Sequence, residues 1–311
     1  MSIHSLPGEP RPEPYRSVAV ASGPHLRPYV LGWAGFRAGP GGAEAPTRML
    51  PLNAATLIFD FTGAGPILTG PRSAATLSPR ALWRHGVAVG LTPAGVSALL
   101  GTPMREVAGA TVPLADLLGA ARAEELAGRL AEPASWAARF GVLERWLVAA
   151  APRTAAADSD GLIMHAWRRL QEPARQLREP DGHLQKPKAR LQEPKGRLQE
   201  RERSLQEPER SRPGSAGRLT IEALAGELGV SRRYLELGFR RVVGLTPKTV
   251  ARVARFQRAV HALSRPSATL GRAVACGYAD QPHLAREVRA MAGMTPKQLF
   301  AFVQDTGRLA H

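Results

Sequence analysis

Gly244-Leu245-Thr246-Pro247-Lys248 returns 49 residues later as Gly293-Met294-Thr295-Pro296-Lys297, and what surrounds the two copies returns with them. Thirteen residues before each glycine stands a good helix N-cap, Ser231 in the first copy and Asp280 in the second. Leu235 answers Leu284, Phe239 answers Val288 and Arg240 answers Arg289. Each Thr-Pro pair sets an N-cap before a proline at the first helical position, where the missing N–H costs nothing, so each opens a further helix. Val250, Val253, Val260 and Leu263 mark the apolar face of a longer helix over 247–263, ended by Ser264-Arg265-Pro266. Ahead of the first copy, Ile221, Leu224, Ala225 and Leu228 fall at i, i+3, i+4 and i+7, with Thr220 as N-cap and Gly229 as stop. Ahead of the second, Thr269–Cys276 reads as a short helix and Gly277-Tyr278 as its turn. Two short helices about a tight turn are helix-turn-helix geometry, and the second helix of each pair is the one shaped to enter a major groove.

Charge points the same way. The 311 residues carry 42 Lys and Arg against 26 Asp and Glu, a net +16. Residues 217–311 hold 15 basic and 6 acidic side chains, so over half of the excess sits in under a third of the chain. A compact basic domain is an electrostatic footprint for phosphate. The single cysteine, Cys276, excludes an intramolecular disulfide framework and any Cys-rich zinc module, and reads as a small core residue. No apolar run reaches the length of a membrane span, and Met1 to Tyr15 lacks a signal-peptide core, so neither a membrane nor export is expected.

Residues 219–303 resemble the DNA-binding domain of the AraC/XylS family of transcription regulators. The likeness is carried by Gly229-x-Ser231-x-x-Tyr234-Leu235-x-x-x-Phe239-Arg240-x-x-x-Gly244-Leu245-Thr246-Pro247. Arg255, Ala259 and Leu263 follow in the connecting helix, then Gly277-Tyr278-x-Asp280-Gln281-x-His283-Leu284-x-Arg286, closing on Gly293-x-Thr295-Pro296. The resemblance implies two helix-turn-helix units on a rigid helix, reaching adjacent major-groove segments about 34 Å apart. Two departures stand out. Where the family usually has Arg, two residues before the aromatic of the first recognition helix, this chain has Leu237 followed by Gly238; the paired phenylalanines of the second unit are Leu284 and Val288.

On the first recognition helix, Arg232, Arg233 and Glu236 lie off the Leu235/Phe239 face. Gln281, His283 and Arg286 hold the matching places on the second. Arg pairs with guanine, Gln with adenine, and Glu accepts from cytosine, so these six are the candidate base readers. Arg240, Arg241, Lys248, Arg289 and Lys297 are assigned to phosphate, which sets affinity rather than sequence. The role of Arg255 is left open, and Arg286 competes between DNA and a neighbouring helix.

The rest of the chain reads as an α+β sensor. Thr56–Phe61 and Gly86–Leu91 look like strands; Ala94–Leu100, Leu114–Leu118, Ala121–Leu130 and Ala134–Leu147 look like helices, the last with Trp136, Phe140, Leu143 and Leu147 on one face. The family resemblance implies here a cupin-like β domain, with trailing helices, that binds an effector or mediates self-association. Residues 1–14 are expected to be disordered, 15–150 to form this domain, 151–217 to hold a helix end and a linker, and 218–311 to form the reader. The linker repeats leucine every seven residues from Leu170 to Leu205, with Pro173, Pro180, Pro187, Pro194 and Pro208 in the same register. Proline inside a helix costs about 3 kcal/mol, so the repeat reads as an extended tether and not a zipper.

No catalytic or metal-binding constellation appears; His85 is isolated, and Trp33 and Trp83 read as core. The chain is therefore expected to be a non-enzymatic, cytoplasmic, nucleoid-associated regulator that binds double-stranded DNA without a cofactor. A small-molecule effector, RNA polymerase and a second copy of the chain remain open as partners. The alternative is a ligand-binding or enzymatic N-terminal domain carrying a non-specific nucleic-acid-binding tail.

Overall fold

A computed structural model describes residues 4–7, 16–38, 47–63, 65–78, 83–152, 160–172, 219–265 and 268–307. The proline repeat from 173 onward lies outside the described residues, as does most of the expected disordered N-terminus. The exception is Ser5–Pro7, which forms β1. The other strands are β2 (Arg16–Val20), β3 (Val30–Arg37), β4 (Thr47–Met49), β5 (Ala55–Asp60), β6 (Gly65–Thr69), β7 (Thr76–Ser78), β8 (His85–Leu91) and β9 (Thr111–Pro113). They make two antiparallel sheets, one of six strands in the order β2-β3-β8-β5-β6-β9 and one of three in the order β1-β4-β7.

Period-two alternation gives the larger sheet two apolar faces. Leu57, Phe59, Val87, Val89 and Leu91 share a buried cluster with the helices α1 (Pro93–Leu100), α3 (Ala120–Ala131) and α4 (Trp136–Ala150). The other face brings Phe36 and Ile58 against Met49 of the smaller sheet and Trp83. Trp33 and Trp83 are both buried, as their composition suggested. A 3-10 turn at Met104–Val107 and α2 (Leu114–Leu118) complete the connections.

The trailing helix α5 (Gly161–Gln171) leads to the C-terminal helices α6 (Ile221–Glu227), α7 (Arg232–Val242), α8 (Pro247–Leu263), α9 (Leu270–Val274), α10 (Gln281–Ala292) and α11 (Pro296–Gly307). Their starts are fixed locally. The side chains of Thr220, Ser231, Thr246, Thr269 and Asp280 each accept a hydrogen bond from the backbone N–H three residues on. Thr295 does the same for Gln298 at the head of α11.

The two regions share one core. Leu224, Leu235, Phe239 and Val250 belong to the same buried cluster as Ile163 and Trp167 of α5 and the sheet residues above. The second unit has its own cluster, built on Val253, Phe256, Leu284, Val288 and Leu299, and Leu6 of β1 and Leu50 are buried in it. Hydrogen bonds cross the seam: Asn53 Nδ2 donates to the Val250 carbonyl at 2.8 Å, Gln257 Nε2 to Pro51 at 2.7 Å, Arg48 Nη1 to Ala292 at 2.9 Å. Trp167 Nε1 donates to the Asn53 carbonyl at 3.3 Å. Arg169 of α5 grips both carboxylate oxygens of Glu227 in α6, at 2.9 and 3.0 Å.

Candidate nucleic-acid interface

The first reading helix, α7, buries Leu235 and Phe239 and leaves Arg232, Arg233 and Arg240 exposed. Arg232 is held between Glu222 at 2.8 Å and Glu236 at 3.1 Å. Two of the expected base readers, Arg232 and Glu236, therefore face each other. All three side chains of this small network are substantially exposed, and such pairs are worth only about 0–1 kcal/mol, so DNA can displace them. Arg233 forms no ion pair among the described residues.

Arg241, assigned to phosphate, is exposed and already has a partner. Its guanidinium pairs with Asp160, at the N-terminus of α5, and its carbonyl accepts from Arg105 Nη1 at 3.2 Å. It works at the seam between the two regions. Lys248 is exposed too, in the first turn of α8.

The departure at Gly238 has a packing cause. A Cβ on this residue would fall 2.7 Å from Cγ1 of Ile163 and closer still to its Cδ1. Glycine lets α5 lie directly on α7. Gly244, at φ +78, serves the same seam, since a Cβ there would meet Ala108 Cβ at 2.7 Å and Arg105 Cα at 2.9 Å. Leu237 is 57% exposed, and nothing in the structure explains a leucine there.

In the second reading helix, α10, Gln281, Arg286 and Arg289 are exposed, and Lys297 is exposed at the head of α11. His283 is half-buried. Its Nδ1 accepts from the Ala279 N–H at 3.3 Å, and its ring meets Tyr278 edge-on at 5.3 Å. That bond fixes Nδ1 as the acceptor, so in the neutral ring Nε2 carries the proton and remains available as a donor. Half of His283 thus holds the turn.

The two units are tied through α8. Arg252 Nε and Arg255 Nη2 donate to the two carboxylate oxygens of Glu287, at 3.0 and 3.1 Å. Arg255 also lies over the Tyr278 ring, 5.1 Å from its centroid. Burial pushes the Tyr278 hydroxyl up to about 12. Arg255, whose role the sequence left open, is a strut between connecting helix, turn and second recognition helix. The tie to a neighbouring helix, weighed for Arg286, is made instead by Glu287, which sequence reasoning missed. A lone acid in α10, facing an Arg-rich connecting helix, was the available signal. Cys276 is half-buried with its Sγ 3.4 Å from the Arg272 carbonyl, and burial pushes its thiol up, away from thiolate chemistry.

Among the described residues, no group of three or more potential metal ligands occurs, and no helix is long and apolar enough to cross a membrane. Residues 224–301 match a family of helix-turn-helix domains. No curated protein matches the chain. An apo variant of ToxT from Vibrio cholerae strain SCE256 is similar at 9% identity over 96% of each chain, with a TM-score of 0.40, a likeness too distant to decide anything here. The C-terminal region holds two helix-turn-helix units, α6–α7 and α9–α10, joined by α8. It is joined to a β-sheet domain with trailing helices.

Proposed function

We propose that this protein is a transcription regulator whose helices α7 and α10 read two successive major-groove segments on one face of DNA. The observation that carries the reading is the pairing of two N-capped helices with exposed polar faces, the second of them held to the connecting helix by the Arg252–Glu287–Arg255 bridge. Arg233 on α7, and Gln281 and Arg286 on α10, are the foremost base readers; Arg232, Glu236 and His283 join once their present contacts exchange. Arg240, Lys248, Arg289 and Lys297 meet phosphate. A regulator of chromosomal genes acts in the cytoplasm, at the nucleoid. A small-molecule effector acts through the β domain, and RNA polymerase and a second copy of the chain are further partners of the protein.

Selection of duplex oligonucleotides by the full chain tests this. The enriched site should show two contacted segments about one helical turn apart. Arg233→Ala and Gln281→Ala should each relax preference at a different segment, by about 1–3 kcal/mol. Arg240→Ala should weaken all sequences alike and lower the salt slope by about one unit. Equal affinity for random duplex and for the best selected site would sink the reading.

A further inference from the structure

Where the β domain meets the reader lies a cavity of about 810 Å³, within the range of small-molecule sites. Its floor is the larger sheet, kept low by Gly32, Ala88 and Gly90. Trp167 of α5 forms one wall, and α8, the connecting helix of the reader, forms another.

Two features of the lining are incomplete. The first is charge. Arg168, Arg258 and Arg265 line the cavity, and the only carboxylate among the described lining residues is Glu172, which is itself bonded to Arg169 at 2.9 Å. Half-buried Arg258 donates only to the backbone carbonyl of Glu172, at 3.3 Å, and pairs with no carboxylate among the described residues. Burial presses its guanidinium below the usual range, which marks a cation in want of a counter-charge. The second is Asn53, 4% exposed. Its Nδ2 is committed to the Val250 carbonyl, which fixes which way the amide points, and leaves Oδ1 buried with no donor among the described residues. A buried acceptor without a donor costs free energy that a ligand N–H or O–H would recover.

We propose that this cavity binds a small organic anion with two or more negative charges, a planar apolar body and one hydrogen-bond donor. The charges meet Arg258 and Arg265, the body lies on the glycine-lined sheet beside Trp167, and the donor reaches Asn53 Oδ1. The site deepens the regulator reading and rests on it in one respect, that occupancy is felt by the DNA-binding units. The route is short, because Asn53 holds the backbone of α8 and α8 carries both units. Carboxylate and phosphate share the chemistry that would satisfy the arginines.

The test is a calorimetric titration of the full chain with 5-hydroxyisophthalate, which has two carboxylates, a flat ring and a phenolic donor. Saturable one-to-one binding is expected. Isophthalate, lacking the donor, should bind roughly tenfold more weakly, and the dimethyl ester, lacking the charges, should not compete. 3-Hydroxyphenyl phosphate, run beside it, tells which anion the arginines prefer. Arg258→Gln should weaken binding at least about tenfold, and Ala262→Phe, which fills the lining from α8, should abolish it. The proposal is overturned if neither acid binds at millimolar concentration, if the ester binds as well as the acid, or if both variants bind like the parent. Selection of DNA sites without added acid is measured separately, so failure there with anion binding intact would strike the regulator reading and not this site.

Discussion

Glu287→Ala should cut the link between the connecting helix and the second reader. Its carboxylate neutralises Arg255, whose side chain is only 7% exposed, and Arg252, which is 39% exposed. Breaking a buried pair from one side costs about 3–5 kcal/mol, because the remaining charge stays buried. The half-exposed Arg252 adds no more than about 1 kcal/mol. Stacking on Tyr278 returns part of the loss, a cation–π contact being worth about 0.5–2 kcal/mol. The expected destabilisation is about 3 kcal/mol. With a urea slope of about 2–3 kcal/mol per molar for a chain of this size, the unfolding midpoint should fall by roughly 1–1.5 M. The double variant Arg255→Met with Glu287→Leu removes both charges and should recover most of that loss. In DNA selection, Glu287→Ala should blur the segment read by α10 and leave the α7 segment readable. A loss below about 1 kcal/mol, or a double variant no better than the single one, would refute the strut.

Gly238→Ala gains about 0.5–1 kcal/mol of helix propensity but drives a methyl into Ile163, and overpacking typically costs about 1–3 kcal/mol. Net destabilisation of about 1 kcal/mol is expected by urea unfolding, relieved when Ile163→Val is added; a stabilised single variant would show that α5 does not press on α7. His4 is half-buried with Nε2 2.9 Å from the Thr69 hydroxyl, and desolvation, then Arg72, hold its pKa down at about 3. A folded pKa below the unfolded value means the unfolded chain takes the proton first. This contribution is whole above pH 6.5 and falls by about 1.4 kcal/mol per unit as pH drops toward 3. The difference in stability between parent and His4→Gln, followed by unfolding from pH 7 to 4.5, should therefore shrink by roughly 2–3 kcal/mol; a difference flat with pH would mean that His4 titrates normally.

What was legible in the chain was what is local. The caps at Thr220, Ser231, Thr246 and Asp280 act within three residues of themselves, so the helices they open were readable, as were β5 and β8 from their apolar runs. The three-residue strands β1, β4 and β7 were not, since each exists only by pairing with a distant partner. The same limit applies to the site. Exposure of Arg233 or Gln281 follows from helical phase, but the engagement of Arg241 by Asp160 spans 81 positions and leaves no periodic trace. Gly238 was the one visible clue: a glycine inside a helix is unfavourable on its own, and here it marks the contact with α5.

The bidentate grip of Arg169 on Glu227 bears on the leucine–proline repeat between them. The chain leaves from α5 and re-enters at α6, two helices already clasped to each other, so the segment closes a circuit within one cooperative body and does not set a distance between two. Adding or losing whole seven-residue copies, the change to which tandem repeats are most prone, moves neither end. By loop entropy, each doubling in length costs only about 0.6 kcal/mol. A variant with one seven-residue copy added or removed should therefore keep the urea midpoint of the parent.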